Sequence, residues 1–148
     1  MISPEVLRRF SCFSPISEAS LRAVAMIANE DCVRAGSRIF SEGDPADALS
    51  IIVDGEVDIQ YTLGSGELRS VDTLVAGEIV GWSALVEPYK TTGIATACRD
   101  TRVIKVEAKR LRELCEQDPL LGYRLMGQVA RLLADRLEGA RVQLATVD

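Results

Sequence analysis

Apolar residues recur every three or four positions at the start of the chain, every second position through its middle, and every three or four again towards its end. That order predicts helices, then strands, then helices. After Ser3-Pro4, a cap followed by a first-turn proline, Val6, Leu7 and Phe10 share one helical face. A second helix is predicted from Ser17-Glu18-Ala19-Ser20, where Leu21, Val24, Ala25 and Ala28 recur at helical spacing.

From about Cys32 the period changes to two, and glycines from Gly36 to Gly93 punctuate the chain at nearly regular intervals, as turns between short strands would require. Leu49, Ile51 and Val53 alternate with polar residues, Asp54-Gly55 supplies a tight turn, and Val57, Ile59 and Tyr61 alternate again, which predicts a hairpin. A second hairpin is predicted to turn at Gly64-Ser65-Gly66 and return through Leu68, Val71 and Leu74. A third is predicted to pair Ile94 to Cys98 with Val103 to Val106 across Arg99-Asp100. The centre therefore reads as an antiparallel roll or barrel, mainly β, of about eight short strands.

Helical periodicity returns after Val106, with one helix predicted over Ala108 to Glu116 and another opening at Asp118-Pro119. The last helix would run for about 25 residues, or nearly 40 Å. Leu121, Leu125 and Leu132 mark one of its sides, and Met126, Val129, Leu133, Leu137, Ala140 and Leu144 an adjacent one. A helix apolar over two faces has two neighbours, here the parent roll and the same helix of a second subunit. A homodimer through Met126, Val129, Leu133, Leu137 and Ala140 is the expectation; the competing reading buries both faces within one chain. Arg131 with Asp135, and Glu138 with Arg141, are expected as weak ion pairs on a solvated face. The chain is read as one domain, 1–148, with N-terminal helices over 1–31, the roll over 32–107 and C-terminal helices over 108–148.

Composition narrows the chemistry. With 148 residues, 17 Lys and Arg against 22 Asp and Glu, and a net charge of −5, a nucleic-acid binder held by bulk charge is disfavoured. The cluster Lys109-Arg110-Leu111-Arg112 is diluted by Glu107, Glu113 and Glu116. The absence of histidine removes Ser/His/Asp and Cys/His catalysis and any His-ligated metal or haem. Cys12, Cys32, Cys98 and Cys115 form no C-x-x-C pair, so buried free thiols are expected rather than a metal or redox site. No phosphate-binding P-loop is present, and Asp44 with Asp47 read as turn formers, so an enzyme is not expected. The N-terminus lacks a basic stretch leading into an apolar run, and no segment is apolar enough to span a bilayer; a cytoplasmic location without membrane contact is expected.

Three blocks, Gly36-Ser37-Arg38-Ile39-Phe40-Ser41-Glu42-Gly43-Asp44, Leu49 to Val57, and Gly77-Glu78-Ile79-Val80-Gly81, closely resemble cyclic nucleotide-binding domains, most of all the sensor domain of Crp/Fnr-type bacterial regulators. The likeness runs from Leu7 to about Leu144. It implies a β-roll with flanking helices and a long C-terminal helix that pairs two subunits and helps to cover a ligand pocket. It also places the phosphate-binding cassette over Gly81 to Gly93.

A glycine turn into a short helix presents backbone N–H groups to an anion. The family's further requirements are missing: Trp82 stands where a glutamate would hold the ribose, and Thr91, or Thr92 in a longer loop, where an arginine would pair with the phosphate. A guanidinium–phosphate pair contributes about 3 kcal/mol, roughly a hundredfold in affinity, so ordinary cyclic AMP binding should be weak or absent. Gly81, Trp82, Ser83, Ala84, Lys90, Thr91 and Thr92 are the candidate ligand-binding residues. Five of them have a plainer reading, Trp82 as an apolar plug, Lys90 as a solvated loop cation, and the Ser83, Thr91 and Thr92 hydroxyls as loop hydrogen-bonding groups.

The resemblance also implies a DNA-reading domain beyond the long helix, whereas the sequence stops at Asp148. No direct DNA contact is expected, and output would pass through dimer rearrangement or a separate protein effector. Two functions follow. One is a stand-alone sensor of a cyclic nucleotide or related small anion, with no other cofactor. The alternative is a ligand-free dimerisation or partner-binding module.

Overall fold

A computed structural model describes residues 1–146. Helix α1 (Pro4–Arg8) and helix α2 (Glu18–Met26) lead into eight strands: β1 (Ala28–Val33), β2 (Arg38–Phe40), β3 (Ala48–Asp54), β4 (Glu56–Thr62), β5 (Leu68–Val75), β6 (Ile79–Val80), β7 (Ile94–Ala97) and β8 (Thr101–Glu107). Helix α3 (Ala108–Gln117) and helix α4 (Pro119–Thr146) follow. All strand pairs are antiparallel, in two four-stranded sheets ordered β1-β8-β3-β6 and β2-β7-β4-β5.

The expected α2 start is present, with Ser17 capping through its side chain, which accepts from the Ser20 amide. The strand period begins earlier than Cys32, because Ala28 already pairs with Val106. The Gly64-Ser65-Gly66 hairpin forms as β4 and β5. The other two expected hairpins do not. β3 lies in the first sheet and β4 in the second, and β7 and β8 are divided in the same way.

One long antiparallel ribbon explains both departures. β3 pairs with β8 from Ala48↔Glu107 to Asp54↔Arg102, with a register shift between Ile52 and Asp54, and β4 carries the ribbon on against β7 from Val57↔Ala97 to Gln60↔Ile94 in a shifted register. The ribbon folds over at Asp54-Gly55 and Arg99-Asp100, so both turns are corners between sheets. Gly55 has φ +136°, and a Cβ there would lie 2.3 Å from Thr101 Oγ1. The Thr101 hydroxyl in turn accepts from the Glu56 amide at 3.2 Å and donates to the Arg99 carbonyl at 2.8 Å. Two corners are thereby locked together.

Apolar burial divides into two layers. Leu49, Ile51, Ile104 and Val106 meet Leu7, Phe13, Leu21, Leu111 and Leu121 between the first sheet and the helices. Ile52, Val57, Ile59, Leu74, Val80 and Val103 fill the space between the sheets. β3 is covered on both faces, so its burial is nearly continuous where the sequence suggested alternation.

Along α4, Leu121, Leu125 and Val129 are buried. Val129, expected at a subunit interface, is thus only 2% exposed within the single chain. Leu132 and Leu133 are half-buried, while Met126, Leu137, Ala140 and Leu144 are exposed. Neither Arg131–Asp135 nor Glu138–Arg141 forms an ion pair among the described residues. The expected buried thiol holds only for Cys12; Cys32 and Cys98 are exposed and Cys115 is half-buried. No helix among the described residues is long and apolar enough to cross a membrane.

Candidate functional site

β6 delivers the chain to the site by pairing Ile79 and Val80 with Ile51 and Ser50 of β3. Gly81 then turns the backbone at φ +89°, and any Cβ would come within 2.8 Å of the Ala48 carbonyl oxygen. Only glycine fits that turn. A 3-10 turn over Trp82–Leu85 follows, with the Ala84 amide donating to the Gly81 carbonyl at 3.1 Å.

Two contacts hold the rest of the cassette. The Arg112 guanidinium of α3 donates to the Ala84 carbonyl at 2.8 Å and lies 4.1 Å above the Tyr89 ring. Thr91 laces the other end to the loop before β3. Its hydroxyl donates to the Ser41 carbonyl at 2.5 Å and accepts from the Asp44 amide at 3.0 Å. Its amide donates to the Asp44 carbonyl at 2.9 Å, and the Gly43 amide donates to its carbonyl at 2.9 Å.

The candidate residues therefore separate. Gly81, Trp82, Ser83 and Thr92 line one notch of about 20 Å³ at the mouth of the roll, together with Phe40, Ile59, Tyr61, Leu74, Gly93 and Arg136. Ala84 is buried behind it with no exposure. Thr91 is 5% exposed and instead lines a cavity of about 370 Å³ beside Arg38, Asp44 and Lys105. Lys90 is exposed and bridged to Pro45.

A larger groove of about 650 Å³ lies between β4, β5 and α4 and shares Ile59, Tyr61, Leu74 and Arg136 with the notch. Its volume is in the range of small-molecule sites, whereas the notch holds about one water. Asp72, Glu78 and Asp135 also line it.

Arg136 is the functional candidate that reading the sequence missed. Its Nε lies 3.2 Å from Asp72 Oδ2, yet Nε and Nη2 are buried without hydrogen-bond partners among the described residues. Burying guanidinium nitrogens unpaired is costly, so their position in a cavity is a chemical signal. The site brings together an aromatic wall, glycine backbone, hydroxyls and one cation from α4. Arg136 borders both the water-sized notch and the larger groove, and only the groove has room for a small molecule. Groups of acidic and cysteine residues spaced to hold a metal are absent among the described residues.

The comparisons agree with this architecture. The cyclic nucleotide-binding domain family model matches residues 30–118. A solved protein of Geobacter metallireducens GS-15, named only provisionally for cyclic nucleotide binding, is 36% identical, with a TM-score of 0.84, over 93% of this chain and 99% of its own. The CRP-like cAMP-activated global transcriptional regulator of Mycobacterium tuberculosis is 25% identical over 95% of this chain and 61% of its own length. The Cyclic AMP receptor protein of Thermus thermophilus is 30% identical over 74% of this chain and 49% of its own. The chain thus spans about three fifths or less of those two regulators. It shares the fold of the solved Geobacter protein, its family model covers more than half of its length, and it belongs to the cyclic nucleotide-binding domain family.

Proposed function

We propose that this chain is a ligand-sensing regulatory domain, not an enzyme, that takes a small anionic or nucleotide-like molecule between the roll, the cassette and α4. One observation carries the reading: the 650 Å³ groove is walled on one side by the roll and on the other by α4, so an occupant touches the helix that would transmit its presence. Classical cyclic AMP binding is weak or absent in this reading, because Trp82 stands in place of the family's glutamate and Thr91, or Thr92 in a longer loop, in place of its arginine.

Output passes through a homodimer that uses the exposed Met126, Leu137 and Ala140 with the half-buried Leu133, or through a separate protein effector, in the cytoplasm and without direct DNA contact by this domain. The 20 Å³ notch favours a second reading, a ligand-free dimerisation or partner-binding module whose deep pocket Trp82 and Arg136 have closed.

Calorimetric titration with cyclic AMP, cyclic GMP, AMP and small carboxylates separates the two. Heat from at least one of them, with cyclic AMP no tighter than high micromolar, supports the sensor. Silence from all at millimolar concentration selects the ligand-free module, and low-micromolar cyclic AMP binding refutes the argument from Trp82.

A further inference from the structure

We propose that Arg136 of α4, and not any side chain of the cassette, is the anion-binding residue of this cavity, and that it takes a singly charged oxyanion on the edge formed by Nε and Nη2. The inference rests on the sensor reading and names its ligand chemistry. Nε–H and one Nη2–H point from the same edge of a guanidinium, so together they form the fork that accepts two oxygens of a carboxylate or phosphodiester. Those two nitrogens are the buried ones without hydrogen-bond partners.

Among the described residues, Arg136 is the only charged group lining the notch. Thr91 has its hydroxyl committed to Ser41 and Asp44, and Lys90 stands outside. With Nε and Nη2 buried and without hydrogen bonds beside glycine backbone and the Ser83 and Thr92 side chains, the guanidinium gains most from an anion that supplies the acceptors those two nitrogens lack.

The groove side sets the charge. Asp72, Glu78 and Asp135 face it, with Asp72 Oδ2 3.2 Å from Arg136 Nε at ion-pair distance but out of hydrogen-bond alignment. These carboxylates repel a second negative charge, so a monoanion is accepted and a phosphate monoester dianion is rejected. Hydroxyl or amine donors elsewhere on the ligand would meet the same carboxylates favourably. Asp72 is the resident competitor, and binding exchanges it for the ligand.

The test follows the Arg Nε–H and Trp82 indole NMR signals of the full chain at matched ionic strength. Acetate, dimethyl phosphate and dianionic methyl phosphate serve as probes. Acetate or dimethyl phosphate should shift the Arg136 signal saturably, and whichever binds tighter identifies the source as carboxylate or phosphodiester; methyl phosphate should bind at least tenfold more weakly. Arg136→Gln should abolish binding and Arg136→Lys weaken it about tenfold, because the ammonium keeps the charge and loses the fork.

Asp72→Asn should tighten binding several-fold, a gain that misfolding cannot imitate. Binding unchanged in Arg136→Gln, weakened binding in Asp72→Asn, preference for the dianion, or no shift in wild type and Asp72→Asn alike would each overturn the proposal. Heat from a nucleotide that survives Arg136→Gln would leave the sensor reading standing without this residue.

Discussion

Arg112 is stacked 4.1 Å over the ring of Tyr89 while its Nη1 donates to the Ala84 carbonyl at 2.8 Å, so one side chain of α3 ties the cassette's turn to the loop that follows it. Tyr89 sits at φ +60°, a conformation that L residues adopt at a cost, and is held there from outside. Arg112→Ala should destabilise the domain by about 1–3 kcal/mol. It should also raise hydrogen exchange in the Trp82–Leu85 turn more than elsewhere. Uniform exchange across the roll would show that the contact does not secure the cassette.

Thr91 and Thr92 are predicted to behave as opposites. Thr91→Val removes a hydroxyl bonded to both Ser41 and Asp44 and should cost about 2 kcal/mol in denaturant unfolding. Thr92 is exposed and lines the notch, so Thr92→Arg with Trp82→Glu is the pair expected to gain cyclic AMP affinity. A gain from Thr91→Arg instead would show that the loop register is different.

Gly55→Ala should be among the most damaging single-methyl changes in the chain. The new Cβ would lie 2.3 Å from Thr101 Oγ1, at φ +136°, and a loss of about 3 kcal/mol or more is expected. A thermal midpoint within a degree of wild type would contradict the locked corner.

How much of this was legible in the chain depends on the range of the contact. The α2 cap at Ser17 and the β4–β5 hairpin were readable because each is decided by residues adjacent in sequence. Asp54-Gly55 carries the same local signature as a hairpin, and only its contact with Thr101, far along the chain, makes it a corner. Arg136 left a faint trace. Leu125, Val129 and Leu132 step along α4 at intervals of four and three, and the next position of that buried stripe is Arg136. A cation there looks like an interruption until β5 is seen opposite it.

The acid limb of stability should report Asp118. The Ser20 hydroxyl donates to Asp118 Oδ2, the Leu121 amide donates to Oδ1 at 3.3 Å, and these bonds, Ser20 first, hold the carboxyl below its ordinary range. A depressed folded value means stability that is fully present above the unfolded value of about 3.9 and is lost as pH falls through the lower folded one. Thermal midpoints of wild type and Asp118→Ala should differ at pH 7 and converge below about pH 3.9. A gap that stays constant into acid would assign the effect to packing.

Thiol reactivity should rank by environment. Burial pushes the Cys12 thiol up to about 11, and Cys12 should react only on unfolding. Cys98 is exposed, but desolvation, then Asp58 and Glu56, raise its thiol, so Cys32 should be modified first at pH 7.5. Mass-resolved alkylation would expose the opposite order.

The folded-over ribbon also dictates when the molecule can form. β3 has no partner on one side until β8 exists, and β4 none until β7. A nascent chain still lacking Thr101–Glu107 therefore leaves the apolar β3 open along one edge and β1 without a strand partner. Productive assembly waits for the last strand to be synthesised, which makes the interval before that moment the time of greatest dependence on chaperones.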